Sequence, residues 1–428
     1  MDKERISSAP LVENSLPDVR RNFLGGLWHG AFLALSIALT QPTTVISSFI
    51  VDLTGSTIWV GGLSTVLTVA SAIPQLFVAR LIENRPRKMP YLLLGIYLRV
   101  ASWAVLAWLI YSIGADRPET LAWALVGMLA VFYAGGGFAN IPYTDIIGKV
   151  IPPHRRGAFF GGKQALAGPL AVVAALAAQR ILANVVYPNN YALLFGLAAL
   201  GLGVASLGFW MIKEPDAILN GNQVHPWSEY WKQIKKASVK LKQLIIIELL
   251  TGFSLMSIPF YVVYAREVLD APLDATGWYL LAQVVGGVLA NLAWSQLVDL
   301  AGSRKMIVYC AITSALIPLL AVGLAPFGWP ALLLVFFLVG AIISGRSVGF
   351  QSALLELAPA AERPTFTGLN GVMILPLAFL SLAAGIFLEH GSYAALFILT
   401  SAFIGAGAVV AVRWSNQITG IPVKTIAD

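Results

Sequence analysis

The stretch "IISGRSVGFQSALLEL" (342–357) places Arg346 inside a long, mostly apolar run. A guanidinium stays protonated at physiological pH and presents a planar fork of donors matched to carboxylate or phosphate. In a helix crossing lipid it costs about 2.5–3.5 kcal/mol on insertion scales, so it calls for a compensating group. That group is either an anion in a wet chamber or a buried acid such as Glu248. Its helical neighbours Ile342, Gly349 and Ala353 are apolar or small and leave room beside it. Arg346 is therefore the first candidate for an anionic ligand. Arg99 is a second embedded charge at similar depth, roughly 14 Å, and Asp145 is the expected partner of a structural ion pair with it. Glu248 and His29 are the titratable groups placed to carry a proton through a membrane. No phosphate-cradling glycine loop, nucleophile elbow or His/Cys cluster with metal spacing occurs, so neither an enzyme nor a cofactor nor a metal is expected.

The elements that hold these residues follow from composition. Hydrophobic residues make up 58% of the 428 and charged ones 11%, with mean hydropathy +0.78. Soluble domains carry about 25% charged residues, so this chain needs lipid as its solvent. Apolar runs of about 20 residues predict spans over 23–50, 58–82, 90–113, 120–147, 158–183, 191–212, 243–265, 275–298, 306–326, 329–355, 366–389 and 393–413. With both termini cytoplasmic, Arg117, Arg180 and Arg266 alone fall outside and Arg99 and Arg346 within spans, leaving the other Lys and Arg inside. This is the positive-inside pattern. The +7 charge thus reports topology, and no nucleic-acid partner is implied. Residues 1–22 lack the apolar core of a signal peptide and read as a cytoplasmic tail, as does 414–428. Cys310 stands alone, so no internal disulfide is possible.

Two halves repeat one pattern. "IPPHRRGAFFGGKQALAGPLA" (151–171) aligns without gaps on "APAAERPTFTGLNGVMILPLA" (358–378), matching Pro152 to Pro359, Arg156 to Arg363, Gly161 to Gly368 and Pro169 to Pro376. "ENRPRKM" (83–89) echoes "DLAGSRKM" (299–306) between the second and third spans of each half. Bundles at 23–212 and 243–413 are thus joined by a polar linker, 213–242. There Trp227, Trp231, Ile234, Ser238 and Leu241 recur at helical spacing among lysines, as in a basic amphipathic helix on anionic lipid.

Across essentially its whole length the chain resembles the major facilitator superfamily. "SQLVDLAGSRK" (295–305) keeps Asp299, Gly302, Arg304 and Lys305 of the family's loop motif, and the more degenerate "ARLIENRPRK" (79–88) keeps Arg87 and Lys88, with Glu83 for the aspartate. The resemblance implies an all-α polytopic fold of twelve transmembrane helices in two pseudo-symmetric six-helix bundles. It implies that Asp299, Glu83, Arg304, Lys305, Arg87 and Lys88 gate the cytoplasmic side, and that the first and fourth spans of each half line a central cavity.

Helical phase gives the candidate lining. His29, Ser36, Thr40, Thr43 and Ser47 of span one fall within about 40° of one direction, with Pro42 among them as a possible kink. Tyr133, Gly137, Asn140 and Thr144 share a face of span four, and Ser254, Ser257, Tyr261 and Tyr264 one of span seven. The substrate-binding set is therefore Arg346, Asn140, Thr40, Ser36, Tyr133, Thr144, Tyr261 and Ser254. The expected protein is a monomeric secondary active transporter of the inner (plasma) membrane, moving a small organic anion by alternating access, with possible proton coupling, in contact with membrane lipids. Two alternatives stand beside it: a proton-driven exporter of lipophilic or cationic compounds, and a non-transporting membrane assembly factor of the same fold.

Overall fold

A computed structural model describes residues 16–82, 85–215, 239–357 and 375–416. Glu83, the linker residues 216–238, the second copy of the repeat over 358–374 and the outer parts of both tails lie outside the described residues. Among those described, ten helices are long and apolar enough to cross a bilayer, and Leu375–Leu388 is a shorter apolar one. Ala275–Gly323 contains two spans, because Gly302 adopts φ 82°, ψ 160° and breaks the helix there. A side chain would strain that left-handed backbone. The twelve expected spans are thereby accounted for.

Two spans break where their sequence demands it. Span one runs Leu16–Leu39, then turns at Gln41 (ψ 120°) into a π-helical turn, Pro42–Ile46, and continues as Ser47–Thr54. The residue before a proline is driven out of the α region, so Gln41 opens the helix and Pro42 restarts it. Span seven is helical over Val239–Thr251, passes through 3-10 turns at Gly252–Met256 and Ile258–Phe260, and resumes at Tyr261–Val268. Gly252 and Pro259 make this span discontinuous. Broken helices near mid-membrane leave carbonyls that other side chains must satisfy.

In the first half, span one packs on spans five (Arg156–Asn184) and six (Asn189–Met211), and span four (Pro118–Val150) on spans two (Thr57–Ile82) and three (Met89–Ile113). In the second, spans eight and nine pack on span ten (Leu332–Leu357) and span twelve (Tyr393–Asn416). The halves meet where span two crosses span eleven and span five crosses span eight. Thr57, Gly61 and Thr65 form one face of span two at intervals of four residues. Thr57 donates to Gly385 O at 2.9 Å, Thr65 to Ala378 O at 2.8 Å, and a Cβ on Gly61 would strike Ser381 O. Small residues here let two backbones nearly touch.

Candidate functional site

Arg346 sits at the break in span seven. Its Nη1 donates to Thr251 Oγ1 at 2.6 Å and its Nη2 to Glu248 O at 3.4 Å, while the guanidinium lies 5.2 Å from the Phe350 ring centroid. Thr251 ends the first helical segment of that span, so the cation caps carbonyl-rich helix terminus where partial negative charge collects. The Glu248 carboxylate is close enough to act on it electrostatically. Only two of the fork's five N–H donors are used by these bonds, which leaves the others for a ligand. On the neighbouring face, Ser344 donates to Asn291 Oδ1 at 3.3 Å.

Asn140 and Thr144 are exposed on span four. Asn140 Nδ2 lies 3.5 Å from Gln75 Oε1 of span two, and Thr144 donates to Asn140 O at 2.8 Å. Tyr133 is half-buried, edge-on to Phe132.

Other candidates are turned into the bundles. Ser36 donates to Ala198 O of span six at 3.0 Å and Thr40 to Ser36 O at 3.0 Å, both buried. His29 and Ser36 of the span-one stripe therefore meet span six rather than a chamber, because a buried polar group finds its acceptor in the nearest carbonyl. His29 lies in the same seam, with Nδ1 3.3 Å from Ala205 O and its ring 4.1 Å from that of Phe209. Since a carbonyl only accepts, Nδ1 carries the hydrogen. In span seven, Tyr261 donates to Ser257 Oγ at 3.0 Å and packs on Phe397, and Ser254 is buried beside them. These side chains hold the second bundle together and do not join the Arg346 group.

The expected Arg99–Asp145 pair is not formed. Asp145 is bridged to Lys88 Nζ at 3.1 Å and Lys149 Nζ at 2.6 Å, while Arg99 lies 4.4 Å over the Phe132 ring. Lys149 stands one turn from Asp145 and Lys88 in the adjoining loop, both nearer than a mid-span arginine. Lys163, counted with the cytoplasmic residues, lies about two turns inside span five and donates to Tyr143 OH at 3.0 Å.

The loop motifs are partly engaged. Asp299 is exposed and makes no bond among the described residues, whereas Ser303 donates to Glu356 Oε2 at 2.7 Å and Arg304 lies 5.1 Å from the Trp414 ring. Lys305 and Arg87 are exposed. In the first half Glu214 performs a role that sequence reasoning missed. It accepts from the backbone N–H of Lys88 (2.9 Å) and Met89 (2.8 Å), capping the start of span three, and is 3.4 Å from Lys149 Nζ. An acid at the end of one span near the bare N-terminus of another is the signal that was available.

A second missed constellation closes one end between the halves. Arg266 Nη2 lies 2.8 Å from Asp52 Oδ1; Tyr191 donates to Asp52 Oδ2 at 3.2 Å; Ser48 and Thr276 share a 3.0 Å bond. Deeper in, Gln283 and Thr43 exchange bonds of 2.8 and 3.1 Å. Among bonds between described residues, those joining the halves lie on this half of the bundle. Asp52 and Arg266 stand at equivalent ends of the first span of each half, a complementary pair that the repeat made visible.

Residues 244–420 match the family model described as Major Facilitator Superfamily. Solved structures agree over almost the whole chain. A bacterial homologue of the iron transporter ferroportin in an inward-facing state superposes with TM-score 0.69 at 14% identity, covering 95% of this chain and 100% of its own. A POT family transporter in complex with 5-aminolevulinic acid gives 0.72 at 12% identity, over 93% and 97%. The xylose transporter XylE from E. coli gives 0.69 at 14% identity, over 95% and 100%. No curated protein matches the sequence. The second half thus carries the match to the Major Facilitator Superfamily model, and the chain shares its fold end to end with these solved transporters.

Proposed function

We propose that the protein is a secondary active transporter that carries a small organic anion across the inner (plasma) membrane by alternating access, its termini cytoplasmic. One observation carries this reading: a permanent cation deep in span ten, hydrogen-bonded at the break of span seven with donors left over. A discontinuous helix supplies both a polar site and a place to bend. Arg346 would take the anionic group, with Asn140 and Thr144 on the facing half. The Asp52–Arg266 end is then the outer gate, which must open when the halves rock apart.

Proton coupling is assigned to Glu248, because its carboxylate competes with the cargo for the Arg346 charge. A proton on Glu248 strengthens the claim of the anion on Arg346, so influx of both is linked. His29 is enclosed against span six and has no such leverage. The exporter of cationic compounds is less well supported, since Arg99, Lys163 and Arg346 are embedded cations that repel such a cargo.

The test is counterflow of labelled organic anions in proteoliposomes, with and without an inward proton gradient. Wild type should show anion exchange stimulated by the gradient. Arg346→Gln should lose it, and Glu248→Gln should retain exchange without stimulation. Undiminished flux in Arg346→Gln refutes the assignment.

A further inference from the structure

The two halves contribute unequally to the cluster at the outer end. The first half supplies oxygen alone: the Asp52 carboxylate and Ser48 Oγ from span one, and Tyr191 OH from span six at 3.2 Å from both Asp52 Oδ2 and Ser48 Oγ. The second half supplies the counter-charge. Arg266 Nη2 lies 2.8 Å from Asp52 Oδ1 and Nη1 3.5 Å from Oδ2, and Thr276 Oγ1 shares its bond with Ser48 Oγ. Among the described residues Arg266 is the one cation paired with Asp52. Thr44 continues the column inward, since Thr44, Ser48 and Asp52 follow at intervals of four residues through the π-helical turn and the helix after it. Thr44 is fully buried and its Oγ1 meets no hydrogen-bond partner. A polar atom buried in that way costs about 1–3 kcal/mol.

Parting the halves at this end changes the balance. Arg266 and Thr276 leave with the second half, while Asp52, Ser48, Tyr191 and Thr44 stay together on the first. A mostly buried carboxylate then loses its counter-charge. What remains is one negative charge among neutral hydroxyls, on a span interrupted at Gln41 and Pro42. Oxygen ligands suit a hard cation, whereas softer metals take His or Cys, which this cluster lacks. A single carboxylate balances a single positive charge. Discontinuous helices in membrane carriers hold sodium with oxygens freed at the break.

We propose that Asp52, Ser48, Tyr191 and Thr44 form a sodium site of the state open to the outside, and that Arg266 takes the place of the ion when the outer end closes. This rests on the reading of that end as the outer gate. It leaves the proton with Glu248 in the second half and gives the first half an ion of its own. Sodium and Arg266 compete for one carboxylate, so external sodium favours the open outer end and its release lets the gate shut.

The test uses the full-length protein with Cys310→Ser, Asp116→Cys and Glu389→Cys, spin-labelled at the two exposed outer positions. Pulsed electron resonance follows their separation as sodium chloride replaces choline chloride at constant ionic strength and pH. Sodium should lengthen the distance distribution of this parent protein and saturate, and choline should not. Thr44→Val keeps the shape of the side chain and removes only an unpartnered oxygen, so it should fold as the parent does. Thr44→Val and Ser48→Ala should each raise the sodium midpoint by about tenfold or more. Asp52→Asn should stand open in choline and ignore sodium. A parent distribution that ignores sodium while Asp52→Asn stands open overturns the site and keeps the gate. If Asp52→Asn also stays closed, the gate reading falls and the site with it. Sodium midpoints in Thr44→Val and Ser48→Ala equal to that of the parent overturn the ligand set.

Discussion

Neutralising Asp52 should open the outer end. The Arg266–Asp52 contact is 2.8 Å long, with side chains 23% and 11% exposed, and Arg266 also lies 3.4 Å from Ser48 Oγ. At an effective dielectric near 20, unit charges about 4 Å apart attract by about 4 kcal/mol. Removing one partner of a buried pair costs about 3–5 kcal/mol because the other charge is stranded. Residual solvent contact and the surviving Ser48 bond bring this to about 2–3 kcal/mol, which falls on the closed-outside state alone. At 1.4 kcal/mol per decade, Asp52→Asn or Arg266→Gln should shift the conformational equilibrium by about 30–150-fold toward an open outer end. Spin labels on the exposed Asp116 and Glu389, placed as cysteines in a Cys310→Ser background, report the separation of the halves by pulsed electron resonance. Both single substitutions should lengthen the distance distribution, and the swap Asp52→Arg/Arg266→Asp should recover much of the wild-type one. Unchanged distributions in the single variants would refute the claim that this pair holds the gate.

Two further outcomes test the packing and the loop. Gly61→Val sets a side chain against the Ser381 carbonyl and Gly385→Val sets one 2.5 Å from Thr57 O. Each should hold spans two and eleven apart, abolish counterflow and give the lengthened distance distribution, while the protein still elutes as a folded species. Glu214→Gln loses charge-assisted bonds to two backbone N–H groups, each worth about 1.5–3 kcal/mol. It should lower the unfolding temperature by several degrees and leave the outer-end distances unaltered.

The fold was legible because lipid removes choices. Every spanning segment must satisfy its own backbone, so apolar length alone located the spans, and the repeat with its loop motifs pointed to the superfamily whose model matches the second half. Helix interruptions were readable in part: Pro42 announced the break in span one, whereas Gly252 and Pro259 broke span seven beyond what hydropathy indicated. Hydropathy also separated spans eight and nine, which the Gly302 backbone confirms as two.

The site was less legible, and the reason is geometric. Helical phase states which residues share a face but not what that face meets. The stripe of Ser36 and Thr40 suggested water, yet a polar face inside a bundle is as well served by a carbonyl of the next helix, here Ala198 of span six. The stripe Thr57, Gly61 and Thr65 was overlooked because small residues look neither polar nor apolar enough, although its spacing of four was the signature of a close helix crossing. Asp145 was assigned to a distant arginine when Lys149, one turn along the same helix, was the cheaper partner. Charges without a local solution are the ones that carry information about ligands. Asp145 has two local partners and demands no ligand, whereas Arg346 keeps donors beyond its two bonds at the helix end. Among the described residues Arg99 has only the face of the Phe132 ring, a weaker compensation for a guanidinium within a span than a helix end or an acid.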